Sequence, residues 1–405
     1  MVILALCYLG SGHQTQENLL TSGGDLRLLH MLRLRPKDAP NPIIAISREG
    51  AQSFQANLVR SVSVLCVDES FRGPSRGSIF SIVTQISRTA TFLLKGLVLS
   101  RFRSGTLLYS SSNLLPDVLA ATTAKLFKAR VRWVAVVHHI PFGSEYSSER
   151  WMRRALSISA ANWSAWLAAH LADVVVAYHQ PTIQRLLELG LPRERLFENG
   201  NGVDIAEIKS AMDLAGPRKT KSAICVGRFS RQKGTERLLQ IWKHVSLAEP
   251  EATLTLVGAN ESFTPQDLKL MTESLGISES VNIRGRLPRE DVLRLLASST
   301  VALFPSFVEG WGIALMESIA CKTPVVAWDL PAYGPMLSAI TPIPLGDYSE
   351  FARRTVELLR KGNPRNRESE EFDWGAGRYR IESVCEREWA LIKSVGVMTE
   401  ATQVE

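Results

Sequence analysis

Cysteine is scarce and unpaired in this sequence. Five cysteines are scattered along 405 residues, and none belongs to a Cys-x-x-Cys pair. Four of them lie in or beside apolar runs, which is typical of buried thiols in a reducing compartment and argues against a disulfide or zinc framework. We therefore expect a cytoplasmic protein that is stabilised by apolar cores.

Long uninterrupted apolar runs are also missing. The longest apolar segment, residues 79–100, contains Arg88 and Lys95, which argues against a membrane-spanning helix. The start MVILALCYLG lacks the basic region of a signal peptide and precedes a glycine-bearing turn, so it predicts a first β-strand. No repeat of fixed period and no low-complexity tract occurs. The composition, 45% hydrophobic and 21% charged, is that of a globular protein.

Acidic residues are sparse in one part of the first half. Residues 60–132 hold 11 basic and 3 acidic side chains. Residues 1–205 carry 22 Lys and Arg against 14 Asp and Glu, a balance of +8, whereas the remainder has 25 against 26, a balance of −1. Such a surface suits an anionic partner, or it is a solvated face without a partner. Because no aromatic interleaving or recognised nucleic-acid module accompanies it, we expect no nucleic-acid partner.

The length and the apolar pattern predict an α/β chain with two domains. Continuous apolar runs such as VRWVAVV and ATLTLVG alternate with helix-patterned segments, which is typical of parallel sheets covered on both faces. The alternation breaks at LFENGNGVDIAEI, residues 196–208. We predict two doubly wound, Rossmann-like domains facing across a cleft, over residues 1–203 and 204–375. Residues 376–405 are predicted as a helix that packs back on the first domain, plus a tail.

The stretch FVEGWGIALMESIACKTPVV, residues 307–326, combines two carboxylates with a glycine-rich helix start. Glu309 precedes the helix that Gly312 opens, and Glu317 lies in its second turn. The first backbone N–H groups of a helix lack intrahelical acceptors and bind anions such as diphosphate. Gly310 and Gly312 permit close approach, and the carboxylates can accept hydrogen bonds from sugar hydroxyls. The alternative interpretation of the stretch alone is one glutamate that favours the helix N-terminus and one that is solvated.

A second loop carries two cations at the end of a strand. In ICVGRFSRQKGTERLLQIW, residues 224–242, Arg228 and Lys233 follow the strand and precede a helix. Two cations at this place would neutralise a leaving diphosphate, and solvated surface cations are the alternative interpretation.

Together these segments resemble the retaining glycosyltransferases of family four, which have the GT-B fold. VGRFSRQKG, VNIRGRLPRE and KTPVVAWD carry the resemblance, and Glu309 and Glu317 match the family signature of two glutamates separated by seven residues. The resemblance covers roughly residues 2–395 and is closest over 195–330. It implies that the following residues bind the nucleotide-sugar donor: Gly23, Gly24, Arg228, Lys233, Arg286, Leu287, Gly310, Gly312, Ile313 and Glu317.

Individual roles follow from the same resemblance. Arg228 and Lys233 resemble the pair that grips the donor diphosphate, and the amides of Gly312 and Ile313 resemble its backbone cradle. Glu317 is expected to bind the ribose. In the first domain, Gly23 and Gly24 resemble the glycines that let a loop lie against phosphate or sugar. In the second domain, Arg286 and Leu287 resemble the segment that meets the nucleobase.

Glu309 and His138 are the expected catalytic residues. The resemblance places Glu309 on hydroxyls of the transferred sugar and His138 near the reacting face of the donor. The family usually has His-Asp where this sequence has His138 and His139, so the role of His139 is open. The role of His179 is open as well, because many relatives have serine there.

The resemblance implies transfer of a hexose-type sugar with retention to a lipid-linked saccharide or a glycan. No Asp-x-Asp motif occurs in the chain, so we expect metal-independent catalysis and no cofactor apart from the nucleotide sugar. A phosphate-dependent glycoside phosphorylase of similar fold and a non-catalytic binder of sugar nucleotides are the alternatives. Base, sugar, acceptor and oligomeric state stay open.

Contact with an anionic membrane surface is a further hypothesis, which would place the protein on the inner face of the cell membrane. It rests on the basic residues 60–132 and on Trp163 and Trp166 in a helix-patterned stretch, residues 150–172. At helical spacing, tryptophans are more often core residues, and we expect that for this pair.

Overall fold

The chain divides into two compact units. The structure is a computed structural model that describes residues 2–6, 23–40, 42–47, 63–67, 106–127, 131–141, 151–217, 219–362 and 377–401. One unit comprises Met1–Gly200 with Glu382–Glu405, and the other comprises Asn201–Ile381. The predicted boundaries lie at residues 203 and 375.

A parallel sheet with helices forms the first unit. Its strands are β1 (Val2–Leu6), β2 (Ile43–Ser47), β3 (Ser63–Val67), β4 (Thr106–Ser110), β5 (Arg132–Val137), β6 (Val174–Ala177) and β7 (Leu196–Glu198). They are hydrogen-bonded in the order β3-β2-β1-β4-β5-β6-β7. Among the described residues before Gly200, the α-helices are α1 (Gly23–Arg33), α2 (Leu115–Phe127), α3 (Trp151–Leu171) and α4 (Gln180–Glu188). A short 3-10 helix spans Arg193–Arg195. The predicted start of the sheet, a strand within MVILALCYLG, is confirmed.

The core of the first unit packs around β5. Trp133 and Val137 of this strand are fully buried. The side of α3 that joins the same core is rich in alanine, with Ala165, Ala168 and Ala169 all buried. Small side chains let this helix lie close to the sheet, so apolar atoms on both elements leave water together.

The second unit is built on another parallel sheet. Its strands are β8 (Ser222–Val226), β9 (Thr253–Val257), β10 (Val281–Gly285), β11 (Val301–Phe304), β12 (Val325–Trp328) and β13 (Thr341–Ile343), in the order β10-β9-β8-β11-β12-β13. Its α-helices are α5 (Ile205–Leu214), α6 (Thr235–Ala248), α7 (Pro265–Leu275), α8 (Arg289–Ser298), α9 (Ile313–Ala320) and α10 (Tyr348–Lys361). Short 3-10 helices span Ser278–Ser280 and Pro331–Ala339.

The strand order of the second unit reverses between β8 and β11. Ligands of open α/β sheets bind outside the carboxyl ends of the strands at such a switch point. The loop with the two cations follows β8, and the loop with Glu309 follows β11. The topology therefore brings the two predicted loops to one edge of the sheet.

The C-terminal helix α11 (Ile381–Ala401) packs on the first unit from Glu382 onward. The Trp389 indole donates to the carbonyl of Met31 at 2.8 Å. Glu388 is fully buried and forms an ion pair with Arg27, which is 4% exposed. The Glu388 carboxylate also accepts hydrogen bonds from the Tyr109 hydroxyl at 2.5 Å and the Asn199 amide at 2.8 Å.

The two ends of the second unit are paired with each other. The amide of Val203 donates to the Tyr379 carbonyl at 3.0 Å, and the amide of Ile381 donates to the Val203 carbonyl at 3.1 Å. The packing is close, because a Cβ at Gly202 would lie 2.6 Å from the Cα of Ile381. The chain therefore enters and leaves this unit side by side.

The structure corrects two predictions. Residues Leu196–Glu198, which fall within the predicted break of the strand-helix alternation, form the edge strand β7. The prediction that Trp163 and Trp166 are core residues is wrong, because they are 63% and 45% exposed. Their rings lie 6.2 Å apart on the outer stripe of α3. The inner stripe of α3 carries smaller side chains, among them Ala165, Ala168 and Ala169.

Much of the basic segment and the whole apolar stretch 79–100 lie outside the described residues. Two described cations of the segment, Lys125 and Arg132, both pair with Asp173. These two charges therefore have a structural partner. Within the described ranges, no helix is long and apolar enough to cross a bilayer.

Candidate active site

The turn between β11 and α9 requires a glycine at its last position. Gly312 has φ +85°, in the left-handed region, and directly precedes Ile313, the first residue of α9. A Cβ on Gly312 would lie 2.7 Å from Cε1 of Tyr333. The predicted helix start is confirmed, and the conformation and the packing under it both depend on glycine.

The loops after β8 and β11 pack against each other. The amide of Phe307 donates to the Gln232 carbonyl at 2.9 Å. Gly234 has φ +71°, and a Cβ there would collide with the carbonyl of Pro305. This close approach places Lys233 beside the glycine-rich turn.

Lys233 and Glu309 form an ion pair with Nζ and Oε2 2.7 Å apart. Both side chains are largely withdrawn from water, at 21% and 9% exposed. A partly desolvated pair of this kind attracts more strongly than a solvated one. The structure therefore brings together two of the residues that the sequence predicts for one site.

Arg228 lies in the same loop but has a different partner. Its Nη1 is 2.5 Å from Oε1 of Glu261, which follows β9. Arg228 is 43% exposed, so its guanidinium remains accessible to an anion from solution. Of the two predicted cations, Lys233 is therefore mostly buried and Arg228 is exposed.

Glu317 is buried in the second turn of α9 and paired with Arg289. Only 4% of Glu317 is exposed, and its Oε1 lies 2.5 Å from Nη1 of Arg289. Nε of Arg289 also lies 2.7 Å from Oε2 of Glu207, at the start of α5. Burial lowers the pKa of Arg289, but the charges of Glu317 and Glu207 outweigh burial and raise it.

Sequence reasoning missed Arg289, although it lies in the predicted base-facing segment GRLPRE. Arg286 is exposed and Leu287 is half-buried in the loop between β10 and α8. Arg289 is the first residue of α8. The available signal was a basic residue three positions after Arg286 at the start of a helix, but its partners are distant in sequence.

Tyr333 is a second missed residue. It is fully buried under Gly312. Burial and then the negative charge of Glu309 raise the pKa of its hydroxyl well above the usual value. Cys225 lies near the same charges, and burial raises the pKa of its thiol to about 12. The Tyr333 hydroxyl and the Cys225 thiol are therefore uncharged at physiological pH.

His138 lies in the first unit, directly after β5. Its Nε2 is 2.7 Å from the carbonyl oxygen of Ser111. Because a carbonyl can only accept, Nε2 carries the proton in this contact and Nδ1 does not. Burial lowers the pKa of His138 to about 4, with a contribution from the positive charge of Arg27. The imidazole is therefore neutral at physiological pH.

His139 and His179 lie close together, with ring centroids 5.7 Å apart. His179 is the N-cap of α4, and its Nδ1 accepts from the amide of Thr182 at 3.2 Å. His179 therefore has a capping role, which a serine hydroxyl could also fill because it supplies an acceptor.

The predicted site residues divide between the two units. Gly23 and Gly24 begin α1 in the first unit, which also contains His138. The predicted residues from Arg228 to Glu317 lie in the second unit. In the part of the chain that the structure describes, no group of three or more His, Cys, Asp or Glu side chains could hold a metal ion.

Comparison with known proteins identifies a family match within the second unit and relatives that match part of the chain. Residues 210–339 match the family described as Glycosyl transferases group 1. A D-inositol 3-phosphate glycosyltransferase of Corynebacterium jeikeium is 33% identical over 134 residues, 31% of each chain. A phosphatidyl-myo-inositol mannosyltransferase of Mycobacterium leprae is 31% identical over 173 residues, 41% of this chain and 45% of the relative. The matches thus span less than half of these relatives.

Solved structures resemble the chain over nearly its whole length. Anabaena HepE in complex with UDP and glucose has a TM-score of 0.69 at 17% identity, covering 97% of this chain and 99% of that one. Sucrose-phosphate synthase from Thermosynechococcus elongatus has a TM-score of 0.71 at 13% identity, covering 98% and 99%. The chain has the GT-B fold, and its second unit is similar to family-four glycosyltransferases.

Proposed function

We propose that the protein is a retaining glycosyltransferase. It moves a hexose-type sugar from a nucleoside diphosphate sugar to a lipid-linked saccharide or a glycan. The observation that carries the proposal is the Lys233–Glu309 pair beside the start of α9, at the switch point of the second sheet. This site falls within residues 210–339, which match the glycosyltransferase family.

Donor binding rearranges this ion pair. The first amides of α9 and the ammonium of Lys233 bind the diphosphate, with Arg228 as a second cation. Glu309, released from Lys233, accepts hydrogen bonds from hydroxyls of the transferred sugar. The cations stabilise the charge that develops on the leaving diphosphate, so the reaction needs no metal ion.

Transfer proceeds on one face of the sugar. The bond from the anomeric carbon to the diphosphate oxygen breaks, and a bond to the acceptor oxygen forms on the same face. The leaving diphosphate takes the proton of the acceptor hydroxyl. Glu309 orients the donor without forming a covalent intermediate, and the neutral His138 contributes hydrogen bonding near the reacting carbon.

A panel of nucleotides tests the donor site. UDP, GDP, ADP, CDP and their sugars are added to the full chain, and thermal stability is measured. We expect stabilisation by one nucleotide family, which Lys233→Ala removes and Lys243→Ala retains. Lys243 is an exposed lysine on α6 and serves as the matched control. Stabilisation by no nucleotide would refute the proposal.

Product analysis tests the reaction itself. With a nucleotide sugar as donor, transfer is expected to continue in the presence of a chelator and to give the same anomer as the donor. Transfer from a sugar phosphate as sole donor would instead support a phosphorylase. Nucleotide binding without any transfer to saccharide acceptors would support a non-catalytic binder.

The exposed tryptophans favour an acceptor at a membrane surface. Trp163 and Trp166 form an aromatic patch in the unit that carries the basic excess, and indoles partition into the headgroup region of bilayers. We therefore propose peripheral contact with anionic membranes on the cytoplasmic side.

A vesicle assay tests this contact. Anionic vesicles should sediment the wild-type chain at low salt but not the double variant that combines Trp163→Ala and Trp166→Ala. Leu247→Ala, which removes an exposed leucine of the second unit, is the control. Equal sedimentation of all three would exclude this surface.

A further inference from the structure

We propose that Arg289 is a positioning residue that holds Glu317 for the ribose and thereby makes the site selective for ribonucleotides. The inference rests on the proposed function, since it assigns the ribose of a nucleoside diphosphate to Glu317. It extends that function to Arg289, which is not among the predicted site residues, and it predicts a measurable preference for ribonucleotides.

The burial of Glu317 makes a cationic partner necessary. With 4% of the residue exposed, its carboxylate has lost most of its contact with water. A carboxylate in that position is stable as an anion only when it is paired and hydrogen-bonded. Among the described residues, Arg289 is the side chain that bonds the Glu317 carboxylate.

The contact fixes the direction of the carboxylate. Nη1 of Arg289 engages Oε1 of Glu317 at 2.5 Å, which leaves Oε2 to accept a hydrogen bond from a ligand. The guanidinium is planar and its donors keep a fixed geometry, so Arg289 engages Glu317 through Nη1 and Glu207 through Nε at the same time, which the single nitrogen of an ammonium does not reproduce. A vicinal diol then meets an acceptor whose orientation is already set.

Glu207 holds Arg289 from its other side. Nε of Arg289 donates to Oε2 of Glu207 at 2.7 Å. Arg289 thus bridges α5 and α9 from the first position of α8, and its side chain is 30% exposed. Anchoring at both ends restricts the rotamers of a long side chain and so reduces the entropy lost when the nucleotide binds.

The test compares ribonucleotides with deoxyribonucleotides. Dissociation constants for the nucleoside diphosphate that stabilises the wild-type chain, and for its 2′-deoxy and 3′-deoxy analogues, are measured by calorimetry. A hydrogen bond to a charged group gives the wild type a preference of about 10-fold to 100-fold for the ribose form. In Arg289→Met this preference should fall to about threefold or less. Arg294→Met, on the same helix but paired with Glu290 and Asp291 outside the site, should keep it.

Two further variants separate positioning from a general loss of structure. Arg289→Lys keeps the charge but lacks the fork, and we expect it to restore only part of the preference. Glu207→Gln keeps Arg289 and weakens its anchor, so an intermediate preference is expected even if Arg289→Met does not fold. Folding of each variant is checked by circular dichroism.

The outcomes distinguish this inference from the proposed function. A wild-type ribose preference that persists unchanged in Arg289→Met and in Glu207→Gln would overturn the role of Arg289 while leaving the donor site intact. A wild-type chain that binds no nucleoside diphosphate would overturn the proposed function and this inference with it.

Discussion

Replacing Glu388 by alanine should destabilise the first unit strongly. Glu388 is fully buried, and its carboxylate bonds Arg27, Tyr109 and Asn199. The substitution leaves the charge of Arg27 in the core without its anionic partner. Removing one member of a buried ion pair costs about 3–5 kcal/mol.

The lower end of that range applies here. Arg27 still donates to the carbonyl of Gly200 at 2.6 Å and still lies 4.4 Å from the ring centre of Tyr178. These contacts retain part of the stabilisation of its charge, so we expect a loss of about 3 kcal/mol in the free energy of unfolding. A loss of that size is about two powers of ten in the unfolding constant.

Urea unfolding combined with hydrogen exchange measures the loss of stability separately for each unit. The two units can unfold separately, so a single transition is not assumed. Peptides from α1 and α11 should lose protection in Glu388→Ala, while peptides from α6 should not. Lys393→Ala, which removes an exposed ion pair of α11 with Asp38, is the control and should leave protection unchanged.

A double variant checks the electrostatic explanation. Arg27→Met combined with Glu388→Met removes both charges and fills the space with apolar side chains, so it should be more stable than Glu388→Ala alone. The reasoning would be refuted if Glu388→Ala were as stable as Lys393→Ala. It would also be refuted if the double variant lost as much unfolding free energy as Arg27→Met and Glu388→Met lose together.

Three further predictions concern the site and its surroundings. Gly312→Ala should abolish stabilisation by nucleotide, whereas Gly334→Ala, where a Cβ meets open space, should keep it in the same thermal assay. His179→Ala should cost about 1 kcal/mol of unfolding free energy and His179→Ser distinctly less, because serine restores the cap; equal losses in urea unfolding would contradict a capping role. Because the pKa of His138 falls from 6.5 to about 4 on folding, stability should decrease as pH falls from 6.5 towards 4. That decrease should be smaller in His138→Gln, and identical pH profiles of the two proteins would rule out the lowered pKa.

The sequence predicts the central strands and the site loops well, for a physical reason. Strands such as β5 and β11 are buried on both faces and therefore read as continuous apolar runs. The loops that follow them carry Lys233 and Glu309, and parallel strands bring their carboxyl ends to one edge. The fold class and the placement of these two residues in one site follow from local patterns and topology.

Features that depend on distant partners could not be predicted in this way. Arg289 is 82 residues from Glu207, and Glu388 is 361 residues from Arg27, so neither pair leaves a local pattern. Trp163 and Trp166 have the spacing of a helix face, but spacing alone does not tell which face is buried. The buried stripe on the other side of α3, which includes Ala165, Leu167 and Ala168, decides it.

The adjacent ends of the second unit make it an insertion within the first. The chain leaves the first unit after Gly200 and returns at Glu382, and the segments at Val203 and Ile381 are held together by backbone hydrogen bonds. We therefore expect that residues 201–381, excised as one contiguous fragment with neighbouring termini, fold alone. Preparing the first unit alone requires a short peptide that joins residue 200 to residue 382. This peptide keeps α11 in the chain, and without α11 the charge of Arg27 would lose its partner, Glu388.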